Sequence, residues 1–208
     1  EELSRSTEWI WPVPAEAVAE LHAAVEGVRR RGLIWRDITR GDFPLPGFGR
    51  MLAAVQRELE DGRGVVLLRG LPVERYDEDG LRALYFGLGA HLGSARYQNS
   101  RGELIGEVRD ELRVYGDVAQ PAMPGRTADA PPTSRYKARS SGPLRFHTDR
   151  TDVVALLCVR QARTGGKSKV VSSVAIHDAM LARRPELVAL LLQDYHRSRE
   201  GEEAGGER

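Results

Sequence analysis

Apolar residues three and four apart dominate the first part of the chain. Ala15, Val18, Leu21, Val25 and Val28 recur at helical spacing, with Pro14 before them and Gly32 after Arg29-Arg30-Arg31, so a helix is predicted over about residues 14–31. Met51, Leu52, Val55 and Leu59 share one face of a second helix, Phe48 to Leu59, which Gly62 and Gly64 end. The run Gly64-Val65-Val66-Leu67-Leu68-Arg69-Gly70 is continuous, apolar and bounded by glycines, which predicts a buried strand. A third helix is expected from Asp77 to Leu92.

The pattern then lapses. Four of the 11 prolines (Pro121, Pro124, Pro131 and Pro132) fall between Gln120 and Gly142 among small and polar residues, the composition of a long irregular loop. Strand signals return at Leu144–His147, Val153–Val159 and Ser168–Val174, the last two joined by a turn at Gly165-Gly166. Two helices are expected near Ile176–Ala182 and Pro185–Gln193, the second opened by its proline. The residues from about 197 onward are glycine and charge without an apolar anchor and read as a mobile tail. The whole is a mixed α and β chain of one domain, with helices in residues 1–62 and the sheet core in 63–196.

Composition narrows the function. Lys+Arg is 31 and Asp+Glu is 30 in 208 residues, a balance that gives no electrostatic case for a nucleic-acid or membrane-surface partner. No apolar run approaches the roughly 20 residues of a membrane helix, and Glu1-Glu2-Leu3-Ser4-Arg5 lacks the basic-then-apolar order of a signal peptide. The one cysteine, Cys158, excludes an internal disulfide, and a reduced, cytoplasmic compartment is expected. Within its apolar run Cys158 reads as a small buried hydrophobe.

The chemistry centres on Phe146-His147-Thr148-Asp149. On a strand, residues two apart face the same way, so His147 and Asp149 would present an imidazole and a carboxylate side by side. That is two-thirds of the two-histidine, one-carboxylate set that holds non-haem iron(II) with open coordination positions. A His-x-acid triplet alone carries little weight, since 5 His and 30 acidic residues give one by chance about 0.7 times. Asp152, five residues from His147, faces away on a regular strand. His22 reads as a surface residue of the first helix, His91 as a helix-end residue, and His177-Asp178 as part of a helix opening. Gly87-Leu88-Gly89 imitates a dinucleotide loop at the wrong spacing, inside a helix.

Taken in order, Gly142-Pro143-Leu144-Arg145-Phe146-His147-Thr148-Asp149, an apolar strand, Thr164-Gly165-Gly166-Lys167-Ser168, then Ser172-Ser173 and a helix, the chain resembles the taurine dioxygenase-like (TauD/TfdA) family. The Gly64–Gly70 strand with its following helix resembles the family's N-terminal unit, and the likeness runs from about residue 47 to 195. The resemblance implies an α+β fold, a double-stranded β-helix (jelly roll, clavaminate synthase-like) with flanking helices, incomplete as given. It implies an Fe(II)/2-oxoglutarate-dependent dioxygenase that hydroxylates an unactivated C–H bond of a small, amino-acid-like or acidic substrate, using O2. His147 and Asp149 would be the first two metal ligands. Ser168 stands where the family usually has a threonine whose hydroxyl helps hold 2-oxoglutarate. The 120–142 loop would be the lid. The third ligand and the arginine for the far carboxylate of 2-oxoglutarate are expected past Arg208, with His196, at a helix end, the weaker alternative for that ligand. A carboxylate at 149 fills the position that halogenating relatives leave to chloride, which favours hydroxylation. The competing expectations are a non-catalytic or truncated jelly-roll binding domain, and a cupin-like metal enzyme that does not use 2-oxoglutarate. Oligomeric state is not legible.

Overall fold

The computed structural model describes residues 5–98, 102–108, 146–149 and 151–195. They fall into two compact units, one drawn from residues 1–95 and 155–196, the other from 96–154 and 197–208. The 120–142 loop, His196 and the 197–208 tail lie outside the described residues.

In the first unit, β1 (Ile10–Pro12) pairs in parallel with β2 (Leu67–Arg69), in the register Ile10↔Leu67, Trp11↔Leu68 and Pro12↔Arg69. Parallel neighbours need a long crossover, and α1 (Ala15–Arg30) and α2 (Phe48–Glu60) lie on it. After β2 comes α3 (Glu78–Leu92). Gly64 (φ +72°) and Gly70 (φ +102°) bracket β2 in backbone that L side chains rarely adopt, as the bounding glycines predicted. The strand itself is shorter than predicted and not buried: Leu67 is 39% exposed, and only Leu68 packs against the core.

The core lies among the three helices. Ala17, Leu21, Ala24, Val25 and Val28 form the buried stripe of α1; Phe48, Leu52 and Val55 that of α2; Ala83, Leu84 and Leu88 that of α3. Phe43, from the loop before α2, is fully enclosed. Each helix start is satisfied differently. Pro14, extended at φ −63°, precedes α1. The Asp77 side chain accepts from Gly80 N at 2.9 Å at the start of α3. At α2 the residue in the capping position is Gly47, which has no side chain to offer; the carboxylate of Glu20 on α1 accepts from Gly47 N (2.9 and 3.0 Å) and Phe48 N (2.9 Å). A Cβ on Gly47 would lie 2.4 Å from Glu20 Oε1, so the missing side chain is what lets the carboxylate in.

The same unit carries α4 (Ser173–Arg183) and α5 (Pro185–Leu191), which pack on each other. Helix α4 starts three residues earlier than predicted, because the Ser172 hydroxyl accepts from Ala175 N at 3.2 Å and caps it. Val174, assigned to a strand by its alternation, is therefore helical.

The two short strands are the only ones among the described residues, and they form one two-stranded sheet. Residues 146–147, 153–159 and 168–172, predicted as strands, have irregular backbone outside any ladder. Val153, Val154, Leu156, Val159, Val170 and Val171 are exposed. Their apolar alternation marks a face suited to burial, but a strand exists only with a hydrogen-bonded neighbour, and none of these segments has one here. The mixed α and β composition agrees with the predicted class, while a jelly roll is not visible among the described residues.

Candidate active site

His147 and Asp149 lie in a short described stretch, 146–149, of irregular, exposed backbone in the second unit. Their two-residue spacing is intact, but no strand fixes their shared facing. Asp152 and Thr151 follow in a bend, with Thr151 Oγ1 donating to Val153 O at 3.4 Å. Ser168 is exposed and belongs to the first unit. It follows the predicted Gly-Gly turn, where Gly165 (φ +79°) and Gly166 (φ +65°) both take left-handed backbone. Ser168 and the His147/Asp149 pair thus lie in different units.

One imidazole and one carboxylate, both open to solvent, suit a borderline divalent ion such as Fe(II) by donor type. They make two protein ligands. Among the described residues no group of three or more His, Cys, Asp or Glu could hold a metal ion. The two donors fit iron by type.

The other histidines among the described residues have structural partners. His91, in the last turn of α3, makes a 2.8 Å contact from Nε2 to Phe43 O. His22 is exposed on α1 with its ring 6.1 Å from that of Tyr76. His177 Nδ1 lies 3.1 Å from its neighbour Asp178. Cys158 is exposed, not the buried hydrophobe its run suggested, because that run is not packed into a sheet. Tyr85, whose hydroxyl donates to Ala155 O, has its phenol pushed above the usual tyrosine range by burial.

Pattern reading missed two features, both made by residues far apart in sequence. One is the Glu20 cap on α2. The other is the seat of Phe43 against Gly87, where a glycine on α3 makes room for the ring. Helical periodicity marks apolar faces and cannot signal either.

The description "Taurine catabolism dioxygenase TauD, TfdA family" matches residues 34–208, and the chain belongs to that family. The match encloses the stretch 47–195 from which the resemblance was read. The chain is 31% identical over 202 residues to FR-33289 synthase of Streptomyces rubellomurinus (strain ATCC 31215), covering 97% of this chain and 56% of that protein. It is 26% identical over 179 residues to the taurine hydroxylase-like protein SAT17 of Stachybotrys chartarum (strain CBS 109288 / IBT 7711), covering 86% of this chain and 44% of that one. The chain thus spans about half the length of these relatives. No helix among the described residues is long and apolar enough to cross a membrane.

Proposed function

We propose that the chain belongs to an Fe(II)/2-oxoglutarate-dependent dioxygenase that hydroxylates an unactivated C–H bond of a small, amino-acid-like or acidic molecule, with His147 and Asp149 as iron ligands. Family membership over residues 34–208 is the observation that carries this reading, and the His-x-Asp pair falls inside that stretch. The word hydroxylase in one relative's name is in keeping with it.

When bound, iron(II) and 2-oxoglutarate supply the oxidising power to break the C–H bond, 2-oxoglutarate leaving as succinate and carbon dioxide while one oxygen atom enters the product. The chain's own residues bind and orient. His147 offers a ring-nitrogen lone pair and Asp149 an anionic oxygen, so both must be deprotonated for metal to bind, and affinity falls in acid. The charge of Asp149 offsets half that of the ion, and its oxygen takes a position a halide would otherwise need. The Ser168 hydroxyl is a donor for a 2-oxoglutarate carboxylate oxygen.

The test adds Fe(II) and 2-oxoglutarate anaerobically to the folded full-length protein. A weak visible charge-transfer band is expected, absent in His147→Ala and Asp149→Ala variants whose circular dichroism is unchanged. On admitting air, succinate should form. Unchanged iron affinity in both variants overturns the ligand assignment. A folded full-length protein that gives neither band nor succinate overturns the enzyme reading in favour of a non-catalytic domain. Oxygen-independent turnover with zinc would do so in favour of a cupin-like metal enzyme.

A further inference from the structure

A cleft of about 740 Å³ opens between the loop at residues 40–46, the first turns of α2 and the end of α3. Its polar lining is wholly basic: Arg40 from the loop, Arg50 from α2 and His91 from α3, with no acidic side chain among the lining residues. The nearby acids are already committed. Asp42 holds Arg31 at 2.9 Å and the Thr39 hydroxyl at 2.6 Å. Glu20 caps α2. Arg50 reaches only the Pro46 carbonyl, at 3.4 Å, and Arg40 has no hydrogen-bond or ion-pair partner among the described residues.

Two guanidiniums facing one cleft without a counter-charge repel each other, and an oxyanion between them replaces that repulsion with charge-assisted hydrogen bonds. A third observation concerns His91. The Phe43 carbonyl accepts from Nε2 at 2.8 Å, which ties the ring to the loop and leaves Nδ1 as the second ring nitrogen. That nitrogen is shut off from solvent and has no partner. A Cβ built on Gly49 would sit 3.9 Å from it. The rest of the lining, including Pro44 and Ala53, is apolar and suits a short hydrocarbon stem.

We propose that this cleft binds a small organic oxyanion, a carboxylate or a phosphate on a short carbon chain, held by Arg40 and Arg50. His91 is a positioning residue that pins the loop wall through Phe43. All of its lining residues belong to the first unit, and binding needs no metal.

The test is calorimetric titration of the metal-free chain at low salt with inorganic phosphate and, separately, with succinate. Saturable one-to-one binding of at least one anion is expected, weakened about tenfold in Arg40→Ala and in Arg50→Ala, and weakening with added salt. Arg57→Ala, an exposed arginine on the same helix outside the cleft, should leave it unchanged. Tighter binding of phosphate or of succinate tells which oxyanion the natural ligand carries. Ala53→Trp, which fills the cleft and keeps its charge, should also block binding. No saturable binding of either anion to about 10 mM, or binding that Arg40→Ala and Arg50→Ala leave untouched, overturns the proposal.

Discussion

Replacing Gly87 by alanine probes a tight contact in the core. A Cβ built there lies 2.4 Å from Phe43 Cγ and 2.5 and 2.7 Å from the two Cδ atoms. Carbon atoms rest at about 3.5–4.0 Å, so the ring must retreat by roughly 1 Å. It has nowhere to go. Phe43 is 0% exposed, within the same core cluster as Leu21, Leu52 and Leu84, and its carbonyl is tied to His91. Overpacking of this kind costs about 1–3 kcal/mol. Against it stands the better helix propensity of alanine, about 1 kcal/mol in a helix interior. An overlap this deep belongs in the upper part of that range, so the net expectation is a loss of roughly 1–2 kcal/mol. Gly89 is the internal control: it lies on the same helix, is exposed, and has nothing within 4 Å of its built Cβ. Gly89→Ala should therefore gain about 0.5–1 kcal/mol. Urea unfolding followed by far-UV circular dichroism reads both as shifts in midpoint at constant slope. In a Phe43→Ala background the clash is gone, and Gly87→Ala should turn from destabilising to stabilising, a coupling that a double-mutant cycle isolates. A Gly87→Ala protein stabilised as much as Gly89→Ala would refute the packing argument, since propensity alone would then account for the change.

Two further expectations rest on polar contacts. Glu20→Ala removes the acceptor for Gly47 N and Phe48 N and should destabilise the protein by about 1–2 kcal/mol, with Glu20→Gln intermediate because its carbonyl oxygen still accepts; thermal melts of the three proteins decide it. Asp42 is held below the usual carboxylate range, first by the Thr39 hydroxyl, then by the Thr39 N–H, with Arg31 adding to them. A lowered folded-state pKa stabilises above the unfolded value and is lost as pH falls through the lowered one. Asp42→Asn should accordingly narrow its stability gap to the parent only below about pH 4, and a gap that instead narrows toward neutral pH would contradict the assignment.

What could be read from the chain follows from how local each feature is. A helix is specified within one turn or two, and three of them were legible nearly to the residue: α1 was expected over 14–31 and runs Ala15–Arg30, α2 begins at Phe48 as expected, and α3 was expected over 77–92 and runs Glu78–Leu92. The start of α4 was misplaced because Val170, Ser172 and Val174 alternate like a strand, while the deciding contact is one hydroxyl on one backbone N–H. The His147-x-Asp149 pair was legible for the same reason as the helices, being two residues apart. The Arg40, Arg50 and His91 cleft was not, since only the fold brings those three positions together.

Strands obey a different rule, and the candidate site depends on it. Val153, Val154, Leu156, Val170 and Val171 are between 41% and 78% exposed, and burying a side chain of this kind is worth about 1.5–3 kcal/mol. A sheet that covered them would therefore have a large driving force, and it would do more than hide hydrocarbon. Metal ligands must be held to within about 0.5 Å by packed neighbours if the ion is to bind tightly in one geometry. The exposed apolar residues 153–171 begin four positions after Asp149, close enough in sequence for one sheet to bury them and to rigidify His147 and Asp149 in the same step. Apolar burial in this half of the chain and iron affinity are thus expected to rise or fall together. A change at Val154 or Leu156 that prevents such burial should weaken metal binding without touching a ligand.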